Sequence, residues 1–345
     1  MPDLNLPPRR KPQINLSRSA SGRMWLVFCC AALGIAQSAL GDKGASLMVA
    51  FCALCPALAA ELVFTWRKSG FSKIKDGSAA ASALVLALLL PNRIHPAYAA
   101  LGALFAVTIV KHSFGGLGSN WLNPSLGGWL FVRFSWPDVF ARALEGALPE
   151  NALPLGEPAA SILDGRVTAF LNNTVFSLLG AELPSGYIDL LFPGTPGIIA
   201  DRGLLALLLG TILITAFRVS RSWAPAVFLA IFAVLVRSLG GPVSGGLLRQ
   251  GDVLFALCSG GTIAAAFILA AEPASGAKSG GGVLFVTALG AFLSWVFRCI
   301  GLELYGCFYA LALVNALTPA LRIFEGRLFY SRKKHAGEAV SGGTA

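Results

Sequence analysis

Charge is scarce in this chain: Asp, Glu, Lys and Arg make up 13% of 345 residues, while 55% are hydrophobic. Soluble domains carry about a quarter charged residues, so an ordinary soluble fold is excluded. Histidine is rarer still, with His95, His112 and His335 only. One histidine near a glycine-rich segment, without a Cys, His or carboxylate cluster, makes a poor metal site. The chain also lacks a Walker loop, a dinucleotide fingerprint and a cysteine set spaced for an iron–sulfur cluster. Its seven cysteines all lie in or beside apolar runs. Cys52 and Cys55 share a helical face, but no second pair accompanies them, so they read as small packing residues. Acids are outnumbered 17 to 27, giving a net charge of +10. The bases cluster at the ends of apolar runs and in both tails, the pattern that orients membrane proteins, so no nucleic-acid surface is expected.

What is present is a succession of apolar runs of helical length. They fall near 24–40, 45–66, 77–91, 97–111, 122–136, 203–218, 224–238, 252–271, 282–299 and 303–323. The expected fold is therefore all-α and polytopic, with about ten transmembrane helices. The third and fifth runs are short; about 15 residues rise only about 22 Å as helix, which suits broken or half-crossing segments. Met1 to Arg23 is polar and basic, and the first run begins too late and runs too long for a cleavable signal, so it is expected to be retained as a span.

Charge supplies the orientation. The N-terminal tail, Arg67/Lys68/Lys73/Lys75, Lys111, Arg218/Arg221, Lys278 and the Arg327/Arg332/Lys333/Lys334 tail all fall on one side, expected to be cytoplasmic. The connection from Pro137 to Arg202 falls opposite, with eight acids against Arg142, Arg166 and Arg202. The expected organisation is a basic tail (1–23), a first membrane half (24–136), an external loop (137–202), a second membrane half (203–323) and a basic tail (324–345). Asp76 to Pro91 and Cys258 to Pro273 echo each other: a small-residue start, an apolar run, a proline, then a span ending in Lys111 or Arg298. Two five-helix halves with both termini cytoplasmic would be inverted repeats, an architecture that places sites at the repeat interface.

The densest polar sequence within the membrane part is Lys111-His-Ser-Phe-Gly-Gly-Leu-Gly-Ser-Asn-Trp-Leu-Asn-Pro-Ser125. Its glycines permit close approaches, and Asn120 and Asn123 offer amides to freed backbone groups. It suits a re-entrant or partner-facing element. Lys75, Asp76, Lys111 and Glu272 fall at span ends within reach of water. Asp76, beside Gly77 and Ser78, is the ion-path candidate, and Lys111 with His112 could hold a flavin ring or phosphate. Arg298 and Glu303 are spaced to pair across a turn. His95, next to Pro96, reads as a surface turn.

Lys75-Asp-Gly-Ser-Ala, Leu90-Pro91, the Lys111 to Pro124 glycine–asparagine stretch, and Ser259-Gly-Gly-Thr262 with Ala265 to Pro273 occur in one order. In this the chain resembles the RnfD family, the D subunits of the Rnf electron-transport complex, which is similar to the B subunit of the sodium-translocating NADH:quinone reductase. The resemblance runs from about residue 20 to residue 325, and the length favours the Rnf protein. It implies a bacterial inner-membrane component that couples electron flow, between ferredoxin and NAD in many members, to ion movement. It also implies FMN joined through its phosphate to a threonine of the external loop, with a second, noncovalent flavin as a further possibility. The implied partners are the other members of the complex, including a second flavin-bearing one, a flavin transferase and membrane lipid.

The family's Ser-Gly-Ala-Thr-like setting is altered here. Matching from Asp164-Gly165 puts Phe170 at the threonine position; matching from the small-polar end gives Asn172-Asn173-Thr174. Thr174 is the preferred attachment residue, with Asn173 beside it and Thr168 as second choice. Asn-Asn-Thr is also helix-capping chemistry. Thr262 reads as a packing residue able to touch a cofactor or ion. A channel or secondary transporter without redox chemistry, and an assembly protein that has lost its flavin, remain open alternatives.

Overall fold

The computed structural model describes residues 20–69, 75–113, 120–146, 166–174, 187–217, 223–243, 248–249, 251–272, 276–277, 279–301 and 303–341. Among them every regular element is helical, apart from one isolated bridge between Pro91 and Ile198. The first part of the chain contributes α1 (Ala20–Gly41), α2 (Ala45–Ser69), α3 (Ser78–Leu89), α4 (Pro96–Phe105) and α5 (Pro124–Ser135). Past α5 come three short helices, α6 (Pro137–Ala143), α7 (Arg166–Thr174) and α8 (Ile199–Arg202). The remainder holds α9 (Leu204–Ala216), α10 (Trp223–Val243), α11 (Val253–Cys258), α12 (Thr262–Ala264), α13 (Gly280–Trp295) and α14 (Gly306–Ser341). Helices α4, α12 and α13 each run on into a π-helical turn, at Ala106–His112, Ala265–Leu269 and Val296–Ile300.

Each of the ten expected runs carries helix. Five are long and apolar enough to cross a membrane: 21–41, 45–66, 223–240, 280–300 and 306–327. The others are shorter or interrupted. Large apolar side chains such as Phe51, Val63, Phe134, Ile212, Val234 and Phe285 stay exposed on these helices, as expected where lipid replaces water.

Composition explains why α3 lies at the centre. Its 12 residues are almost all Ala, Leu and Val with no polar face, and every one except Ser82 is buried. A helix that is apolar all round belongs inside. Twelve residues rise about 18 Å, short of a hydrocarbon core about 30 Å thick. Its ends therefore need protein partners, and α1, α2 and α5 pack around it. Helix α9 packs on α1, while α10, α13 and α14 form a second group around the interrupted pair α11–α12. The bridge at Pro91 ties the end of α3 to the start of α8: Asn92 donates its backbone N–H to Gly197 at 2.9 Å, and Ile199 donates to Leu90 at 3.0 Å. The glycine run of the Lys111–Ser125 stretch, residues 114–119, lies outside the described residues.

Candidate functional site: two interrupted helices faced by buried cations

An interrupted helix exposes backbone N–H groups that must find acceptors inside the bundle. At the start of α3 the chain turns through Gly77 in a left-handed conformation, φ +72°, which a side chain would strain. Asp76 then accepts from the Ser78 N–H at 2.8 Å and from the Ser78 hydroxyl at 2.7 Å. The Ser78 oxygen in turn accepts from the Lys111 ammonium at 2.7 Å. Lys111 also donates to Glu61 Oε2 at 2.8 Å, and His112 Nε2 reaches the same oxygen at 2.8 Å. The Phe64 ring stacks on His112 with centroids 4.7 Å apart. The result is an unbroken polar chain, Asp76–Ser78–Lys111–Glu61–His112, built from α2, α3 and the π-helical end of α4.

Lys111 and Glu61 are each 2% exposed. Lys111 therefore does not reach water from a span end, as its position in the sequence suggests; it turns inward because Glu61, on α2, offers a carboxylate in the bundle. The sequence reading missed Glu61. Its signal is visible in hindsight, a single acid in the apolar run Ala-Ala-Glu61-Leu-Val-Phe, where an unpaired charge costs about 2.5–3.5 kcal/mol.

The second interruption lies between α11 and α12. Gly260 and Gly261 both adopt left-handed φ, +63° and +68°. Their N–H groups are taken by Asp201 of α8, Gly260 by Oδ2 at 3.0 Å and Gly261 by Oδ1 at 2.7 Å. Burial pushes the Asp201 carboxyl up to about 6, opposed by the two N–H donors and by Arg298. Arg298, from the π-helical end of α13, is fully buried. It donates to the Ala256 carbonyl at 2.5 Å, the Ser259 carbonyl at 3.0 Å, the Ser259 hydroxyl at 2.5 Å and the Thr262 hydroxyl at 2.7 Å. Its guanidinium also lies 5.8 Å from the Phe232 ring centroid.

Arg298 and Glu303 thus do not pair across a turn. The guanidinium is drawn inward by carbonyls freed where the helix breaks, and Glu303 pairs with Arg133 at 3.3 Å. Thr262, 1% exposed, belongs to the Arg298 network. Asp201, which the sequence reading counted only among the loop acids, serves instead as the anion at a half-helix N-terminus.

Two further expected residues join distant parts of the chain or close a turn. Asn123 caps α5 by accepting from Ser125 N–H at 2.8 Å and Leu126 N–H at 3.2 Å. Its amide donates to Glu272 at 2.6 Å, linking the first part of the chain to the second. His95 is exposed and caps α4, accepting from the Ala97 N–H at 3.3 Å.

The threonines considered for flavin stand apart from both clusters, on α7, which packs against the turn Tyr187–Leu191. Thr168 is 3% exposed and donates to Asp189 Oδ2 at 2.6 Å, so its hydroxyl is already engaged. Thr174, the last residue of α7, is exposed, as is Asn173. Phe170 is 64% exposed. Thr174 is thus exposed where Thr168 is engaged, and the last turn of α7 carries no basic side chain. Asp164, Val175 and Phe176 lie outside the described residues. Among the described residues no group of three or more His, Cys, Asp or Glu could hold a metal.

Long apolar helices, central short helices and cations buried against helix breaks define a multi-pass helical membrane protein with interrupted helices. The chain belongs to the NQR2, RnfD, RnfE family, whose model matches residues 8–329. It is 27% identical over 345 residues to the D subunit of the Na(+)-translocating ferredoxin:NAD(+) oxidoreductase complex of Acetobacterium woodii, covering 98% of this chain and 99% of the relative. It is 32% identical over 271 residues to the D subunit of the ion-translocating oxidoreductase complex of Pseudomonas aeruginosa, covering 76% of each. It is 27% identical over 329 residues to the D subunit of the proton-translocating ferredoxin:NAD(+) oxidoreductase complex of Clostridium ljungdahlii, covering 91% of this chain and 92% of the relative.

Proposed function

We propose that this chain is the RnfD component of an Rnf-type complex in a bacterial inner membrane, coupling electron transfer of the ferredoxin/NAD kind to ion movement. The observation that carries the ion-handling part is the buried chain Asp76–Ser78–Lys111–Glu61–His112. Ionisable groups inside a membrane protein are costly and mark ion or proton routes. Here five groups in sequence bridge the start of a central half-helix to the end of α4, so a cation or proton can be passed by exchanging partners along the chain. Glu61 holds the two donors at its end. Lys111 bridges Glu61 to Ser78 and counters both carboxylates. Arg298 and Asp201 fix the second interruption, one saturating freed carbonyls and the other freed N–H groups.

In this reading all ten segments cross or enter the membrane as two inverted five-helix halves, with both termini and the Lys111 end cytoplasmic and residues 137–202 external. The likeness between the two interruptions supports it: each starts at a left-handed glycine and each is faced by a cation from a π-helical end. FMN is carried on Thr174, whose exposed hydroxyl on the external connection suits attachment better than the engaged Thr168. When bound, FMN supplies the electron-transfer chemistry, while the chain holds it at the membrane surface and excludes or admits charge around it. A flavin transferase and the remaining Rnf proteins are the required partners.

Mass spectrometry of the peptide spanning Thr168 and Thr174, from protein co-expressed with a flavin transferase, tests the attachment. An FMN increment on Thr174, absent from Thr174→Ala, is expected. An unmodified peptide would remove the covalent flavin and leave an ion-handling or assembly protein.

A further inference from the structure

Positive side chains are disfavoured on the external side of a membrane protein, so arginines gathered there call for a reason. The loop leading into α4 and the helix α6 enclose an open groove with a volume of about 600 Å³. Its lining includes Arg93, His95, Tyr98, Val139 and Arg142, and no carboxylate. Arg93, His95 and Arg142 are all exposed. Among the described residues neither arginine takes part in an ion pair. Arg142 spends only its Nε, on the Asp138 carbonyl at 3.3 Å. Arg93 is also felt by Arg202 of α8, whose guanidinium burial pushes below its ordinary range, with Asp42 opposing and Arg93 adding a smaller push. Tyr98 forms an aromatic wall, its ring 5.1 Å from Trp136 and 6.3 Å from His95.

From these residues we infer that the groove between the start of α4 and α6 is a binding site for a phosphate group. Two guanidinium forks match the geometry of phosphate oxygens, and His95 and the Tyr98 hydroxyl can add further donors. The volume lies in the range of small-ligand sites, about 300–1,000 Å³. The same chemistry serves a free phosphate compound or the headgroup of an anionic phospholipid lying at the membrane surface. The inference rests on the proposed orientation and owes nothing to flavin attachment, so Thr174 peptide analysis and the binding test below fail independently.

The test uses the full chain in detergent and in nanodiscs. In the first arm inorganic phosphate is titrated against chloride at fixed ionic strength, with the melting temperature as readout. In the second, native mass spectrometry counts phosphatidylglycerol retained from discs that also contain phosphatidylethanolamine. A saturable rise in melting temperature with phosphate assigns a free phosphate ligand; selective phosphatidylglycerol retention assigns lipid. In either case Arg93→Gln/Arg142→Gln weakens the effect at least tenfold, and Arg93→Gln alone weakens it partly, while both melt like the parent without phosphate. Equal behaviour of parent and variants in both arms, or no response in either, overturns the site.

Discussion

Replacing Lys111 by Met removes the ammonium from a carboxylate that has almost no access to water. The Lys111 Nζ to Glu61 Oε2 distance is 2.8 Å, and the two side chains are 3% and 2% exposed. At an effective dielectric of about 20 the direct attraction is about 6 kcal/mol. Part of that is offset by desolvation, and breaking one side of a buried pair typically costs about 3–5 kcal/mol. His112 Nε2 reaches the same Glu61 oxygen at 2.8 Å and remains as its partner in the variant, which compensates partly. Lys111→Met is therefore expected to cost about 3 kcal/mol, with Glu61→Gln costing a similar amount because it strands the ammonium. The double variant should cost clearly less than the sum, because neither orphaned charge remains. Unfolding of the chain by SDS titration from mixed micelles, followed by tryptophan fluorescence, measures all three. Single losses below about 1 kcal/mol that simply add would refute the reasoning, since they would mean that neither charge is buried against the other.

The other expectations concern the second interruption and the external connection. Arg298→Met removes the guanidinium that joins the Ala256 and Ser259 carbonyls to the Ser259 and Thr262 hydroxyls, leaving the Thr262 hydroxyl alone to serve both carbonyls, and should lower stability by about 3 kcal/mol in the same assay. Gly261→Ala imposes a side chain at φ +68° where a Cβ would run into the Phe308 ring, so the variant should express poorly or melt well below the parent. Asp201 has its carboxyl raised from 3.8 to about 6, so its neutral form favours the fold. Its contribution is full below about pH 4 and is lost as pH rises through about 6, a difference of about 3 kcal/mol. The melting temperature of the parent should fall between about pH 5 and about pH 7.5 relative to Asp201→Asn; parallel curves would contradict this.

Much of the helix layout was legible in the sequence because apolar runs in a membrane protein are long and dense in signal. The third run was expected to be short, as α3 is, and Asn123, expected to serve freed backbone groups, does so as the cap of α5. The partners of the buried charges were not legible. Glu61 lies 50 residues from Lys111, and Asp201 lies 60 from Gly261. Such pairings depend on which helix faces the break, and no local spacing encodes that. Lys111 and Arg298 were therefore read as span-end charges, when both turn inward to groups freed by an interrupted helix. Of the two threonines on α7, the sequence could not show that Thr168 is held by Asp189, 21 residues away, while Thr174 is exposed.

Ion movement per electron is the quantity closest to the central claim. The whole complex, carrying Glu61→Gln in this chain, would be reconstituted in sealed vesicles and driven by reduced ferredoxin with NAD. NADH formation, radioactive sodium uptake and lumenal pH would be followed together. The account predicts that the variant keeps forming NADH but, without uncoupler, accumulates neither ion where the parent does, because the chain from Asp76 to His112 is broken at the group that joins Lys111 to His112. Unchanged ion uptake per NADH would contradict it and return the buried charges to a purely structural role.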